Sequence, residues 1–92
     1  MASQKVIAAT TSATSVLAAT TQFTRTRCER TFENSDTNRC YVLIGSGTVS
    51  ASNYSFSLAQ FEKARLDNLT DQVSVIWGTA AGGALMVTEW MN

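Results

Sequence analysis

Tyr54-Ser55-Phe56-Ser57-Leu58 alternates large apolar and small polar residues at every step. Successive side chains of an extended strand point to opposite faces, so Tyr54, Phe56 and Leu58 share one face and the two serines the other. The stretch reads as a half-buried strand and sets the fold class for its neighbours. Val73-Ser74-Val75-Ile76-Trp77 reads the same way. Cys40-Tyr41-Val42-Leu43-Ile44 is the most apolar run, and its length and β-branched content predict a buried strand. Residues 27–33 are strand-like too, with Cys28 and Phe32 on one face and Arg27, Glu29 and Thr31 on the other.

The punctuation between these runs is turn chemistry. Asn34-Ser35-Asp36-Thr37-Asn38 is a turn cluster, because Asn and Asp bond their own backbone and tolerate left-handed conformations. It joins 27–33 to Cys40–Ile44 as an expected hairpin. Ala80-Ala81-Gly82-Gly83 supplies paired glycines for a second hairpin, returning through a strand at 84–90. Residues 59–69 are less regular. Leu58, Phe61 and Leu69 would share a helical face, but Glu62 and Arg65 would fall on it as well, so the β surroundings favour a strand. Short strands spaced by roughly 8–12 residues predict an all-β fold, a compact β-sandwich or small barrel.

Residues 1–24 differ from the rest. They are rich in Ala, Thr and Ser, and Lys5 is the only charge before Arg25. The expected organisation is an extended N-terminal arm at 1–24, with 6–9 and 16–19 its best strand segments, followed by a single β domain at 25–92. Val6, Ile7, Val16 and Leu17 are the arm's apolar contacts, made with its own domain or with a neighbouring subunit.

Composition bounds the function. Ninety-two residues make one domain. Seven Lys plus Arg balance seven Asp plus Glu, which removes the basic footprint that nucleic-acid binding needs. No apolar run approaches the roughly 20 residues of a membrane-spanning helix. The start Met1-Ala2-Ser3-Gln4-Lys5 has neither the charged nor the long apolar region of a signal peptide, so the expectation is a product that is not secreted by that route. Low, cancelling charge and the absence of proline favour association, since self-repulsion and edge-blunting prolines are both missing.

Catalytic constellations do not assemble from these residues. Without histidine there is no Ser-His-Asp or Cys-His site, and two cysteines alone do not make a zinc site. Asp36-Thr37-Asn38 starts like a calcium loop but lacks the later Gly and Glu. Gly45-Ser46-Gly47 lacks the rest of a nucleotide loop. The expectation is a non-enzyme with no metal and no cofactor. Cys28 and Cys40 flank the expected hairpin and are a disulfide pair if the chain meets an oxidising environment, or two buried thiols if it does not. Arg25, Arg27, Arg30 and Arg39 are interleaved with Glu29, Glu33 and Asp36, which favours an ion-paired polar face over a phosphate site. Trp77 and Trp90 read as core or interface packing ahead of a stacking platform for carbohydrate.

Several segments together resemble a known group: small, roughly hundred-residue structural proteins of tailed bacteriophages. The segments are Phe32-Glu33-Asn34-Ser35, Tyr41-Val42-Leu43-Ile44-Gly45 and the stretch Gly47-Thr48-Val49-Ser50-Ala51-Ser52-Asn53-Tyr54-Ser55. Val73-Ser74-Val75-Ile76-Trp77, Ala81-Gly82-Gly83-Ala84 and Val87-Thr88-Glu89 follow. The resemblance covers about residues 30–90 and leaves out 1–24. It departs at Ala59-Gln60-Phe61-Glu62-Lys63, where the group's pattern has a glycine-containing turn. It implies a virion structural protein, first a capsid decoration or cement protein, otherwise a neck, collar or tail component. The partners implied are other virion proteins, the major capsid protein foremost, and further copies of the chain, with no nucleic acid and no membrane. A receptor or carbohydrate binding module is the reading from another class.

Overall fold

The computed structural model describes residues 2–17, 28–67 and 72–91, with side chains at 4–16, 29–66 and 72–89. Eight strands follow one another: β1 (Ala2–Ala8), β2 (Thr14–Leu17), β3 (Cys28–Asn34), β4 (Cys40–Ile44), β5 (Phe56–Leu58), β6 (Lys63–Asp67), β7 (Val73–Trp77) and β8 (Ala84–Met91). β1 pairs with β8, β2 with β7, β3 with β6 and β4 with β5, every pair antiparallel. The nesting describes one long ribbon, doubled back at the β4–β5 turn and rolled up. Pairing of β3 with β8 and of β4 with β7 completes two four-stranded sheets, β1-β8-β3-β6 and β2-β7-β4-β5. This is the jelly-roll form of the β-sandwich. The all-β expectation is met, as a sandwich.

The core lies between the sheets and is drawn from both. Ile7, Phe32, Leu85 and Val87 come from the first sheet, and Val16, Cys40, Val42, Leu58, Val73, Val75 and Trp77 from the second. β7 alternates buried and half-buried residues along its whole length, as the sequence pattern dictates. Phe32 and Phe56 meet edge-on across the sheets, with ring centroids 5.7 Å apart. Burial of side chains this size stabilises by roughly 1.5–3 kcal/mol each.

Three expectations change. First, β3 and β4 do not form a hairpin, and neither do β7 and β8: each pair is divided between the sheets. The connections at 35–39 and 78–83 are long enough to cross the roughly 10 Å between packed sheets. Second, residues 2–8 and 14–17 are not an arm beside the domain. They are β1 and β2, and Ile7 and Val16 are 8% and 0% exposed in the shared core. Residues 18–24 lie outside the described residues. Third, the Tyr54–Leu58 alternation shortens to the three residues of β5. Tyr54 turns out of line and meets the Tyr41 ring at a tilt of 56°, with centroids 5.0 Å apart.

Candidate assembly surfaces

Four connections meet at one end of the sandwich, at 9–13, 35–39, 59–62 and 78–83. Each crosses between the sheets, and hydrogen bonds tie them together. The Ala9 amide donates to Gly83 O at 2.9 Å and the Trp77 amide to Thr10 O at 3.0 Å. The Phe61 amide donates to Asn34 O at 2.6 Å.

Asn34 organises this end. It is 0% exposed and uses its whole side-chain capacity. Nδ2 donates to Asn38 O and Leu58 O, both at 2.9 Å. Oδ1 accepts from the Asp36 amide at 3.0 Å and from Trp77 Nε1 at 3.2 Å. Asp36, also buried, accepts at Oδ1 from the Asn38 amide and at Oδ2 from the amides of Ala81 and Gly83, at 2.8–2.9 Å. The Asn38 and Ala81 amides hold its carboxyl well below the usual carboxylate range, at about 2, against the opposing push of burial. The 34–38 cluster is thus a turn, as read from sequence, but a buried one whose acid is occupied by backbone donors. Gly83 is required beside it, because a Cβ there would overlap the Asp36 backbone.

The residues singled out from sequence scatter. Trp77 is 0% exposed and donates its indole N–H internally, so it belongs to the core, not to an interface or a carbohydrate platform. Of the arm's apolar residues whose side chains are described, Ile7 and Val16 are buried and Val6 is exposed, on the outward face of the edge strand β1. The side chains of Leu17, Cys28 and Trp90 lie outside those described. The backbone separates Cys28 from Cys40 all the same. β3 runs the length of the sandwich between them, about 20 Å at 3.3 Å per residue, against the roughly 4.4–6.8 Å a disulfide spans. Cys40 is a free, buried thiol, and burial pushes it up to about 11.

The arginines do not form a patch among the described residues. Arg30 is 0% exposed and its Nε meets Glu89 Oε2 at 2.8 Å, directly across the β3–β8 pairing. Arg39 is exposed and donates to Ser57 Oγ at 2.9 Å. Arg25 and Arg27 lie outside the described residues. Sequence reading missed Arg30 because its neighbours are charged. The period of β3 does place it on the Phe32 face.

The sheet edges are guarded. Lys5 stands on the core-facing side of β1 and donates to Val16 O at 2.8 Å. β6 carries Lys63 and Arg65, β5 is three residues long, and β2 has a register shift between Ser15 and Leu17. These devices disfavour uncontrolled strand addition. The outer face of the first sheet holds a concavity of about 450 Å³ lined by Gln4, Glu33, Lys63, Arg65, Met86 and Thr88, among others. Its Arg65 Nη2 meets Glu29 Oε1 at 2.9 Å.

No protein-family model matches the sequence, and no curated protein matches it. Among solved structures, the chain is similar over nearly its whole length to one from Bacillus endospore appendages, described as a family of disulfide-linked pili. The TM-score is 0.56 at 17% identity, covering 98% of this chain and 86% of that one. At this identity the likeness speaks for the fold, and it includes β1 and β2 in it.

Proposed function

We propose that the chain is a structural protein that acts by assembling, and specifically a bacteriophage virion protein of the capsid decoration type. The observation that carries this is the rolled, eight-stranded sandwich itself. Jelly rolls of this form build viral capsid domains, and the similar chain comes from endospore appendages described as disulfide-linked pili. Both are multi-copy assemblies of rigid bricks. The interior fits that use: Asn34 and Asp36, buried at the loop end, fix the 35–39, 59–62 and 78–83 connections to one another. The resemblance of residues 30–90 to phage structural proteins supplies the finer reading. The major capsid protein is the first partner and the virion the location.

Contact of an N-terminal arm with a neighbouring subunit, one of the two options expected from sequence, gives way to docking of a preformed body. β1 and β2 are already paired within the domain, and the sheet edges are blunted. Contact then falls to the loop end and the outer sheet faces. Quantitative mass spectrometry of purified particles tests the reading. A decoration protein is recovered in a copy number close to that of the shell subunit. A neck or collar protein is recovered at tens of copies or fewer, and absence from every particle rejects the virion reading.

A second reading, a fibre subunit, is favoured by the 98% coverage of this chain by the pilus likeness. It predicts filaments in electron micrographs of the concentrated, purified protein, which a decoration protein does not form without its shell.

A further inference from the structure

Among the described residues, Phe61 is the one non-glycine with a positive φ, at 63°. It occupies the third position of the turn that Glu62 N closes onto Ala59 O at 3.1 Å, where Gly or Asn belongs. A bulky side chain in this region is a genuine conformational outlier. The surroundings enforce it: the Phe61 amide is held by Asn34 O, and Glu62 Oε1 accepts from the Ala59 amide at 2.8 Å. The ring gains nothing from burial in its own domain, since Phe61 is 66% exposed. Strain kept for a solvent-facing aromatic is a cost in the isolated chain, and outliers of this kind cluster at functional positions.

The surface around the ring is suited to contact. Exposed loop residues at this end, at 11–13, 37, 39, 60–62 and 78–82, carry two charges, Arg39 and Glu62. A charge-poor patch that carries an exposed aromatic has the composition of an interface core. The two charges are opposite, so a patch that meets a copy of itself can set Arg39 of one copy against Glu62 of the other. We infer that Phe61 is the anchor of a self-association surface, docking this loop end against the same end of another copy of the chain. This deepens the reading of the protein as an assembly subunit and rests on it.

The molecule measures 39 × 24 × 16 Å, so an end-on contact covers about 400 Å² of each copy. That is about half the usual share per partner, so the contact is weak, populated by the isolated chain only at high concentration and reinforced in a multi-copy array. The test is sedimentation of the purified full-length chain over a concentration series, with thermal melts alongside. Phe61→Gly is expected to leave Tm unchanged or raise it, because the strain is relieved, while weakening association about tenfold or more. Arg39→Glu is expected to weaken association, and Arg39→Glu with Glu62→Arg to restore it. Association unchanged in Phe61→Gly, or a lowered Tm showing that the ring serves its own fold, overturns the inference and leaves the assembly reading standing. A wild-type chain that stays monomeric at every concentration, or that uses Phe61 only to bind particles, also overturns it. Absence from particles as well takes the assembly reading with it.

Discussion

The indole nitrogen of Trp77 donates to Oδ1 of Asn34 at 3.2 Å, joining the end of β7 to the end of β3 across the sandwich. This bond lies under the four crossing loops. The same oxygen receives the Asp36 amide, and Asp36 in turn holds the β7–β8 connection. The loop end is therefore one hydrogen-bonded unit.

Asn34→Ala removes partners from a buried indole, from two backbone groups of the 35–39 loop and from Leu58 O at the end of β5. Buried groups left unsatisfied are expensive, so the loss is expected to be about 2–4 kcal/mol. Chemical denaturation measures it. A loss under about 0.5 kcal/mol would show that water or repacking replaces the asparagine.

Asp36 gives a pH signature. Its folded pKa, about 2, lies below the ordinary value of 3.8. In that interval the unfolded chain binds the proton and the folded one does not, so stability rises with pH. The contribution is complete above about pH 4 and lost as pH falls through 2. Melting temperatures from pH 6 down to 2 are expected to drop in this window, and Asp36→Asn to flatten that drop. An equal slope in both proteins would assign the acid sensitivity elsewhere.

Much of this unit was legible as local structure and not as architecture. Val73–Trp77 and Cys40–Ile44 announce themselves by alternation and branching, and Asn34–Asn38 by its turn residues. Period-two patterning says which face a residue takes but not which strand lies beside it. Residues 27–44 accordingly read as a hairpin, although β3 and β4 belong to different sheets. Val6, Ile7 and Val16 marked strand segments, but β1 finds its partner in β8, at the other end of the chain. Trp77 read as core or interface packing, and it lies in the core. Asn34 was hidden because a buried, fully bonded asparagine and an exposed turn asparagine look alike in sequence.

Adjacent glycines separate two kinds of requirement. Gly82 needs its positive φ of 87° but has open space around it, so Gly82→Ala carries backbone strain of about 1 kcal/mol. A Cβ on Gly83 meets the Asp36 backbone, so Gly83→Ala is expected to cost more, about 2–3 kcal/mol, with part of the pH signature lost. Equal effects of the two substitutions would mean that the 35–39 loop yields easily.

Cys40 is expected to resist alkylation in the folded protein near pH 8 and to react on unfolding, because it is buried and its thiol titrates near 11. Oxidation is expected to give no Cys28–Cys40 bridge within one chain, and any disulfide through Cys28 would then join two chains. Peptide mapping without reductant decides this. An intrachain pair would contradict the separation of the two residues along β3.

The most direct test is cryo-electron microscopy of purified virus particles from a host that makes this protein. The account predicts repeated density on the shell that fits the 39 × 24 × 16 Å sandwich, in numbers set by the shell's symmetry and with β1 and β2 inside their own domain. Particles whose shells lack that density, with the protein absent from the preparation, would contradict it.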